Sequence, residues 1–359
     1  MKLIKQTVSL CDQCYRHIPA RVYEEDSLIK LLKTCPEHGN MTSIVEVDTD
    51  FYYSLKHERD IPDFNQVLFE ASDRCQLNCP HCYHLPDNKI QDRPIQDIVD
   101  QLSKFPKTCT PMLAGAEPTL RPDFVELCHA INRMGFPKFE LLTNGLRFDN
   151  KKFAKDCYEA GLGMICLGLN HWTYQGKRVH NKQLRALDNL IEVGYQIGYV
   201  GYTVETLDHV PDILEEISKI HRPEINHYRI RCGAFIGRSN DQQRSYLSNL
   251  VKKVKSILGD KVKPYSGDDN PYHVMLDWDG KVLRLIQWPD VTNIDMDELK
   301  TGPWSQFYNG PVTNFVHQVI TRDAFKNMGL PMLDSAPEEY RYKDIDVQSR
   351  NIIPIKRII

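Results

Sequence analysis

From about residue 63 to residue 238, short apolar runs alternate with stretches whose apolar residues recur every three or four positions. The runs "QVLFEAS", "TPMLAGAEP", "KFELLTNG", "GMICLGLN", "IGYVGYTVE" and "HYRIRCGAF" predict strands. Between them, "IQDIVDQLSKF", "DFVELCHAINRMG", "KKFAKDCYEAG", "KQLRALDNLIEVG" and "PDILEEISKI" carry helical spacing, and several of these stop at Gly. Strand and helix in strict alternation predict a parallel sheet with right-handed crossovers, in which chemistry sits at the C-terminal strand ends. Two flanking regions break the pattern. Residues 1–62 carry a cysteine pattern of their own and end in the charged stretch "KHERDIPDFN". Residues 239–359 begin with one more helix in "QQRSYLSNLVKKVKSILG". A hairpin follows in "HVMLDWDGKVLRLI", turning at Asp279–Gly280. The expected organisation is an N-terminal metal-binding region (1–62), an α/β core (63–238) and a C-terminal α+β extension (239–359).

Composition narrows the function classes. A chain of 359 residues, 41% hydrophobic and 26% charged, buries a substantial core. A net charge of -3 gives no reason to expect a nucleic-acid or membrane-surface binder. No stretch approaches the roughly 18–20 apolar residues that span a bilayer, and "MKLIKQTVSLCDQC" is too polar for a signal peptide. The chain therefore reads as cytoplasmic. In a reducing compartment, eleven cysteines point to metal ligation, catalysis or packing rather than disulfides.

Cys75, Cys79 and Cys82 stand in the spacing C-x3-C-x2-C within "RCQLNCPHCYH", directly after the first core strand. Thiolates suit zinc or an iron–sulfur cluster. With His81 and His84 nearby, spacing alone leaves a closed zinc site and an open cluster site equally placed.

The wider pattern resembles the radical S-adenosylmethionine (radical SAM) superfamily. "AGAEPTL" (114–120) looks like that family's GGEP motif, with Ala116 in place of the second glycine, and "LLTNG" (141–145) and "LGLN" (167–170) follow in order. The resemblance implies an α/β fold with a partial (βα)6 TIM-like barrel. It also implies a 4Fe–4S cluster held by Cys75, Cys79 and Cys82, with S-adenosylmethionine chelating the fourth iron. One-electron cleavage of that nucleotide then yields a 5′-deoxyadenosyl radical that abstracts hydrogen from substrate. Gly115, Ala116 and Glu117 would lie along its methionyl end, where a φ > 0 conformation would disfavour Ala116. Thr143, Asn144 and Asn170 would hydrogen-bond its polar groups, and His81 would lie near adenine. Arg229 and Arg231 share one strand face and either suits the cofactor carboxylate; a solvated or salt-bridged face is the alternative.

"CDQC" (11–14) and "CPEH" (35–38) form a second set, in which Cys11, Cys14, Cys35 and His38 supply four ligands for zinc or a mononuclear iron, with His17 a possible substitute. Such a knuckle before a radical SAM core resembles a branch of pterin-linked methyltransferases and tetraether lipid synthases. Cys109, Cys128, Cys157, Cys166 and Cys232 are expected to pack in the core. Cys166 and Cys232, late in strands, are also candidates for a hydrogen-atom donor. The absence of cysteine after residue 232 argues against the peptide-modifying subgroup.

The expected function is C-methylation, C–C bond formation or rearrangement at an unactivated carbon of a small molecule or lipid. A low-potential donor such as a flavodoxin or ferredoxin would supply the electron. Nucleotide or nucleic-acid base modification is the enzymatic alternative, and a zinc-stabilised scaffold the non-enzymatic one. Trp278, Trp288, Arg284 and Gln287, clustered about the C-terminal hairpin, are expected to pack rather than to form a lid.

Overall fold

The computed structural model describes residues 1–10, 17–55, 66–82, 86–103, 107, 110–136, 139–233, 245–265 and 273–287. Cys11, Cys14, His84, Cys109 and Trp288, singled out above, lie outside these residues. The alternating core is realised strand for strand: β5 (Gln66–Ser72), β6 (Thr110–Gly115), β7 (Glu140–Thr143), β8 (Met164–Gly168), β9 (Gln196–Val204) and β10 (Tyr228–Cys232). They pair in parallel and in chain order. Between them run α2 (Ile95–Leu102), α3 (Phe124–Arg133), α4 (Lys151–Glu159), α5 (Lys177–Val193) and α6 (Val210–Ile220).

Period-two alternation divides each strand between two environments. Leu113, Leu141, Ile165, Leu167, Val200 and Ile230 turn toward the helices and pack with Leu127, Ile131, Leu187, Leu190, Ile213 and Ile217 in one large core. Met112, Ala114, Cys166 and Tyr199, with Leu142 against them, form a separate cluster on the opposite, concave face. A register shift between Ile165 and Cys166 lets β8 and β9 keep this division. Cys128, Cys157 and Cys232 pack in the large core, whereas Cys166 belongs to the concave cluster.

The C-terminal segment extends the same sheet. After α7 (Leu247–Leu258) and β11 (Val262–Pro264), the hairpin β12 (His273–Trp278) and β13 (Lys281–Ile286) turns at Asp279 and Gly280. Their φ values of 48° and 81° suit a tight turn that follows the strand twist. β13 lies parallel to β10, and among the described residues the sheet has nine strands in the order β11-β12-β13-β10-β9-β8-β7-β6-β5. Among the described residues no pairing joins the edges β5 and β11. Trp278 packs in the large core, as expected of it.

Residues before the core form an antiparallel meander of β1 (Lys2–Leu10), β2 (His17–Glu25), β3 (Leu28–Cys35) and β4 (Gly39–Glu46), followed by α1 (Thr49–Ser54). Cysteine spacing does not announce these strands. Ala20, Val22, Ile29, Leu31, Val45 and Tyr52 form their small core.

One buried carboxylate fastens the meander to the large sheet. Glu46, 1% exposed, accepts from the Ser248 backbone N–H at 3.1 Å, the Ser248 hydroxyl at 2.5 Å, and the Val47 and Asp48 N–H groups. Gln287 completes the junction, accepting from Leu247 N–H and donating to the Val45 carbonyl, both at 2.7 Å. Glu46→Ala strands these donors and should cost about 2–4 kcal/mol in urea unfolding. Burial pushes the Glu46 carboxyl above its usual range, so the folded state holds this proton more tightly than the unfolded state does. The linked stability is complete below the unfolded value and declines as pH rises through the folded one. Glu46→Gln should therefore flatten the loss of stability as pH rises above the ordinary carboxylate range.

Candidate functional site

Loops at the C-terminal ends of β5 to β8 converge on the three-cysteine segment. The loop after β5 is pinned at its start. Ser72 Oγ donates to Asp92 at 2.6 Å, Arg74 pairs with the same carboxylate, and the Cys75 N–H donates to Asn88 Oδ1 at 3.0 Å. A turn follows, closed by Cys82 N–H donating to the Cys79 carbonyl at 3.2 Å. Cys75 is buried, and Cys79 and Cys82 are half-buried.

Amide donors from two other loops reach the sulfurs. Asn144 Nδ2, after β7, lies 3.7 Å from Cys75 Sγ, which also accepts from Leu77 N–H at 3.3 Å. Gln175 Nε2, after β8, lies 2.7 Å from Cys79 Sγ. Burial, with Glu117 and Cys82 adding to it, pushes the Cys75 thiol up to about 12. A metal that takes this sulfur must therefore displace its proton.

Beneath this layer, Glu117 is fully buried at the N-terminus of a 3₁₀ turn (Pro118–Leu120). Its Oε1 accepts from Thr119 N–H and from the Thr119 and Thr143 hydroxyls; its Oε2 accepts from Asn144 N–H at 2.7 Å. Burial raises its carboxyl while these four donors oppose the shift. Glu117 and Thr143 therefore position the Asn144 loop, which Gln183 also holds from α5 by donating to the Asn144 carbonyl at 2.8 Å. Gly115 has φ 122°, a conformation that side chains disfavour, and Ala116 N–H donates to the Ser72 carbonyl at 2.9 Å. The left-handed residue is Gly115 rather than Ala116, so alanine is accommodated at 116.

Asn170 ends β8 in the left-handed region with φ 59°, and its Oδ1 accepts from Thr203 N–H at 2.8 Å. Asparagine tolerates that backbone, so Asn170 joins β8 to β9. Arg231 donates to Thr203 Oγ1 at 2.7 Å, on the same side. His81 is buried and held down to about 3, first by burial and then by the Arg231 charge. Its ring meets Tyr174 edge-on at 4.9 Å. Arg229 lies deeper, with its guanidinium 3.8 Å from the Tyr199 ring centroid. The two arginines of one strand face thus serve different levels of the concave surface.

Sequence reasoning missed the segment "HWTYQG" after β8. Gln175 reaches Cys79, Tyr174 walls His81, and the stacked rings of His171 and His209, 4.2 Å apart, back them. Its signal was present: a cluster of aromatic and amide residues at a strand's C-terminal end.

At the N-terminal set, the tight turn between β3 and β4 brings Cys35 Sγ within 3.4 Å of His38 Nδ1. Among the described residues, no three His, Cys, Asp or Glu side chains gather as a formed metal centre.

Residues 69–217 match the family model described as the Radical SAM superfamily. This span, the α/β core, is a radical SAM domain. Residues 3–46 of this radical SAM enzyme also match the HMPTM N-terminal zinc ribbon domain. The enzyme is similar to the 7,8-dihydro-6-hydroxymethylpterin dimethyltransferase of Methanocaldococcus jannaschii, at 25% identity over 95% of this chain and 81% of that protein. It is also similar to the Fe-coproporphyrin III synthase of Methanosarcina barkeri, at 26% identity over 51% of this chain and 47% of that one. The crystal structure of Streptococcus suis SuiB bound to S-adenosylmethionine gives a TM-score of 0.47 at 14% identity, over 67% of this chain and 56% of that chain. The enzyme thus spans about half the length of the latter two. No described helix is long and apolar enough to cross a membrane.

The cysteine loop carries sulfur donors of the type an iron–sulfur cluster takes, although Cys75, Cys79 and Cys82 are not gathered as a formed metal centre. It offers three sulfur donors, two of them already receiving the N–H donors that a ligating thiolate requires, at a strand end beside a glycine-opened turn.

Proposed function

We infer that Cys75, Cys79 and Cys82 hold a 4Fe–4S cluster with S-adenosylmethionine at its open iron, and that the enzyme methylates an unactivated carbon of a small pterin-like heterocycle. The observation that carries the cofactor reading is the convergence of Asn144 and Gln175 on the sulfurs of Cys75 and Cys79 from separate loops. The substrate class rests on similarity to the pterin dimethyltransferase, which extends over 95% of the chain and so includes the flanking regions.

When bound, the cluster and nucleotide supply a 5′-deoxyadenosyl radical; the chain's own groups hold and shield them. Asn144 and Gln175 donate N–H groups to thiolate sulfur, which stabilises its negative charge. Gly115 and Ala116 let the backbone approach the methionyl end, while Glu117 and Thr143 keep Asn144 in register. Arg231, steadied by Thr203, offers a fork to the cofactor carboxylate. His81, neutral at physiological pH, forms an aromatic wall with Tyr174 for the adenine. Met112, Ala114, Leu142 and Cys166 make an apolar lining that excludes water from the radical. Cys166 is also the hydrogen-atom donor candidate on this face. Cys35 and His38, with Cys11 and Cys14, hold zinc or a mononuclear iron. The working location is the cytoplasm, where a flavodoxin or ferredoxin provides the electron.

Anaerobically purified enzyme should contain iron and acid-labile sulfide, and should release 5′-deoxyadenosine from S-adenosylmethionine and dithionite. With 6-hydroxymethyl-7,8-dihydropterin added, together with a further equivalent of S-adenosylmethionine as methyl donor and dithionite for the second electron, mass spectrometry should show methylated product. Zinc at both cysteine sets, with no sulfide, would overturn the cofactor reading in favour of a scaffold. Deoxyadenosine formation without pterin product, but with a modified nucleotide, would overturn the substrate class alone. Gln175→Leu should retain iron and fold while slowing deoxyadenosine release by about 10-fold or more, with a shifted cluster potential.

A further inference from the structure

The concave face carries a second polar cluster, one step deeper than the residues assigned to the cofactor. Arg229 and Arg231 lie two residues apart on β10, roughly 7 Å along the strand. Arg231 turns to Thr203 and His81, but Arg229 does not follow it. The Arg229 guanidinium stacks on Tyr199, makes no ion pair with a described residue, and has a buried Nε without a hydrogen-bond partner. Glycine at 201 accommodates this arrangement: a Cβ there would come within 3.1 Å of the Tyr199 ring.

The neighbouring strand deepens the charge. Register places Arg284 of β13 directly beside Arg229 of β10, and Arg284 Nη2 lies 3.4 Å from His273 Nδ1. His227 packs against Tyr199, with ring centroids 5.6 Å apart and its Nε2 buried without a partner. Burial, then the charges of Arg229 and Arg284, hold this imidazole down to about 3, so it stays neutral. Glu140, the carboxylate at the start of β7, acts on the Cys166 thiol with the opposite sign to Arg229, so the face carries charge of both kinds. Two guanidinium groups side by side at a partly dehydrated surface repel one another, and an unpaired buried donor is costly. Both conditions are relieved by an oxyanion that takes the Arg229 fork in two parallel N–H···O bonds.

We propose that Arg229, Arg284 and His227 form an oxyanion-recognition site that anchors the far end of the substrate through a phosphate or carboxylate group. Met112, Ala114, Leu142 and Cys166 lie on the same concave face and accommodate a flat apolar body extending from that anchor. The bound anion would thereby orient the reacting carbon toward the cysteine loop. This rests on reading the concave face as the substrate surface of the proposed methyl transfer, but binding at the site requires no turnover.

Equilibrium dialysis of the anaerobic holoenzyme against inorganic pyrophosphate and, separately, malonate tests it, with chloride holding ionic strength constant. Wild type should bind one of the two saturably, at about one equivalent, and Arg229→Gln should weaken that binding at least about tenfold. Tighter pyrophosphate binding assigns a phosphate group, and tighter malonate binding a carboxylate. Arg229→Gln should leave substrate-independent deoxyadenosine release within about twofold of wild type. Unchanged affinity in Arg229→Gln, or no saturable binding of either anion to wild type, overturns the proposal. Loss of deoxyadenosine release in a folded Arg229→Gln enzyme also overturns it, by assigning Arg229 to the cofactor. If that variant does not fold, Arg229→Lys, which retains charge but loses the fork, should weaken binding in part; full retention of affinity overturns the site. Failure of the radical reading itself would appear as absent deoxyadenosine in wild type, with anion binding intact.

Discussion

Cys79→Ala, purified without oxygen, should keep the wild-type fold yet release no 5′-deoxyadenosine and contain no acid-labile sulfide. Cys79 is half-buried, and the turn it begins is closed by its backbone carbonyl, which alanine retains. Its stability should therefore stay within about 1 kcal/mol of wild type. Two remaining thiolates cannot supply the three protein ligands of an open-iron cluster, so the chemistry goes even though the protein folds. Any metal held at the proposed N-terminal set should persist, because Cys35 and His38 lie at the turn of a different sheet. The measurements are sulfide and iron content, visible absorbance and chromatography of the nucleoside product. Deoxyadenosine release at the wild-type rate after anaerobic reconstitution would refute the assignment of this loop.

Glu117→Ala should be the most damaging change that removes no sulfur. The carboxylate is fully buried and receives four donors, two of them backbone N–H groups that alanine leaves stranded. The expected cost is about 3 kcal/mol or more in urea unfolding. Glu117→Gln separates positioning from stability. Its carbonyl oxygen can serve Thr119 and Thr143 as Oε1 does now. Its amide then faces the Asn144 N–H, donor against donor. That variant should fold, bind iron and show slowed deoxyadenosine release, because the Asn144 amide loses its register over Cys75. Wild-type turnover in a folded Glu117→Gln enzyme would show that this buried network carries only stability.

The order of the α/β core was legible because each element announces its environment locally. Apolar runs such as "MICLG" suit strands covered on both faces, and three-to-four spacing in "KQLRALDNLIEVG" suits helices packed on one. The Asp279–Gly280 turn was equally plain, since few residues accept consecutive positive φ. The N-terminal strands were not. Their sequences, "HIPARVYEE" and "LIKLLKTC", mix charge with apolar residues, and cysteine spacing drew attention away from the alternation. Site residues divide in the same way. The three cysteines declare themselves by residue type, whereas Gln175, Tyr174 and Gln183 are ordinary residues whose importance lies in what they touch.

Local chemistry along the chain was enough to establish alternating strands and helices, the soft-ligand loop at the first strand's end, and a candidate cysteine–histidine pair ahead of the core. Only folding in three dimensions decided that Arg229 and Arg231 part company, that Cys166 faces the concave side while Cys232 faces the helices, and that Glu46 bolts the first sheet to the last helix. The reason is physical. Propensity and periodicity are properties of a few neighbouring residues. Which side chains share an acceptor, or meet across adjacent strands, depends on sheet register and loop packing between segments as many as 242 residues apart.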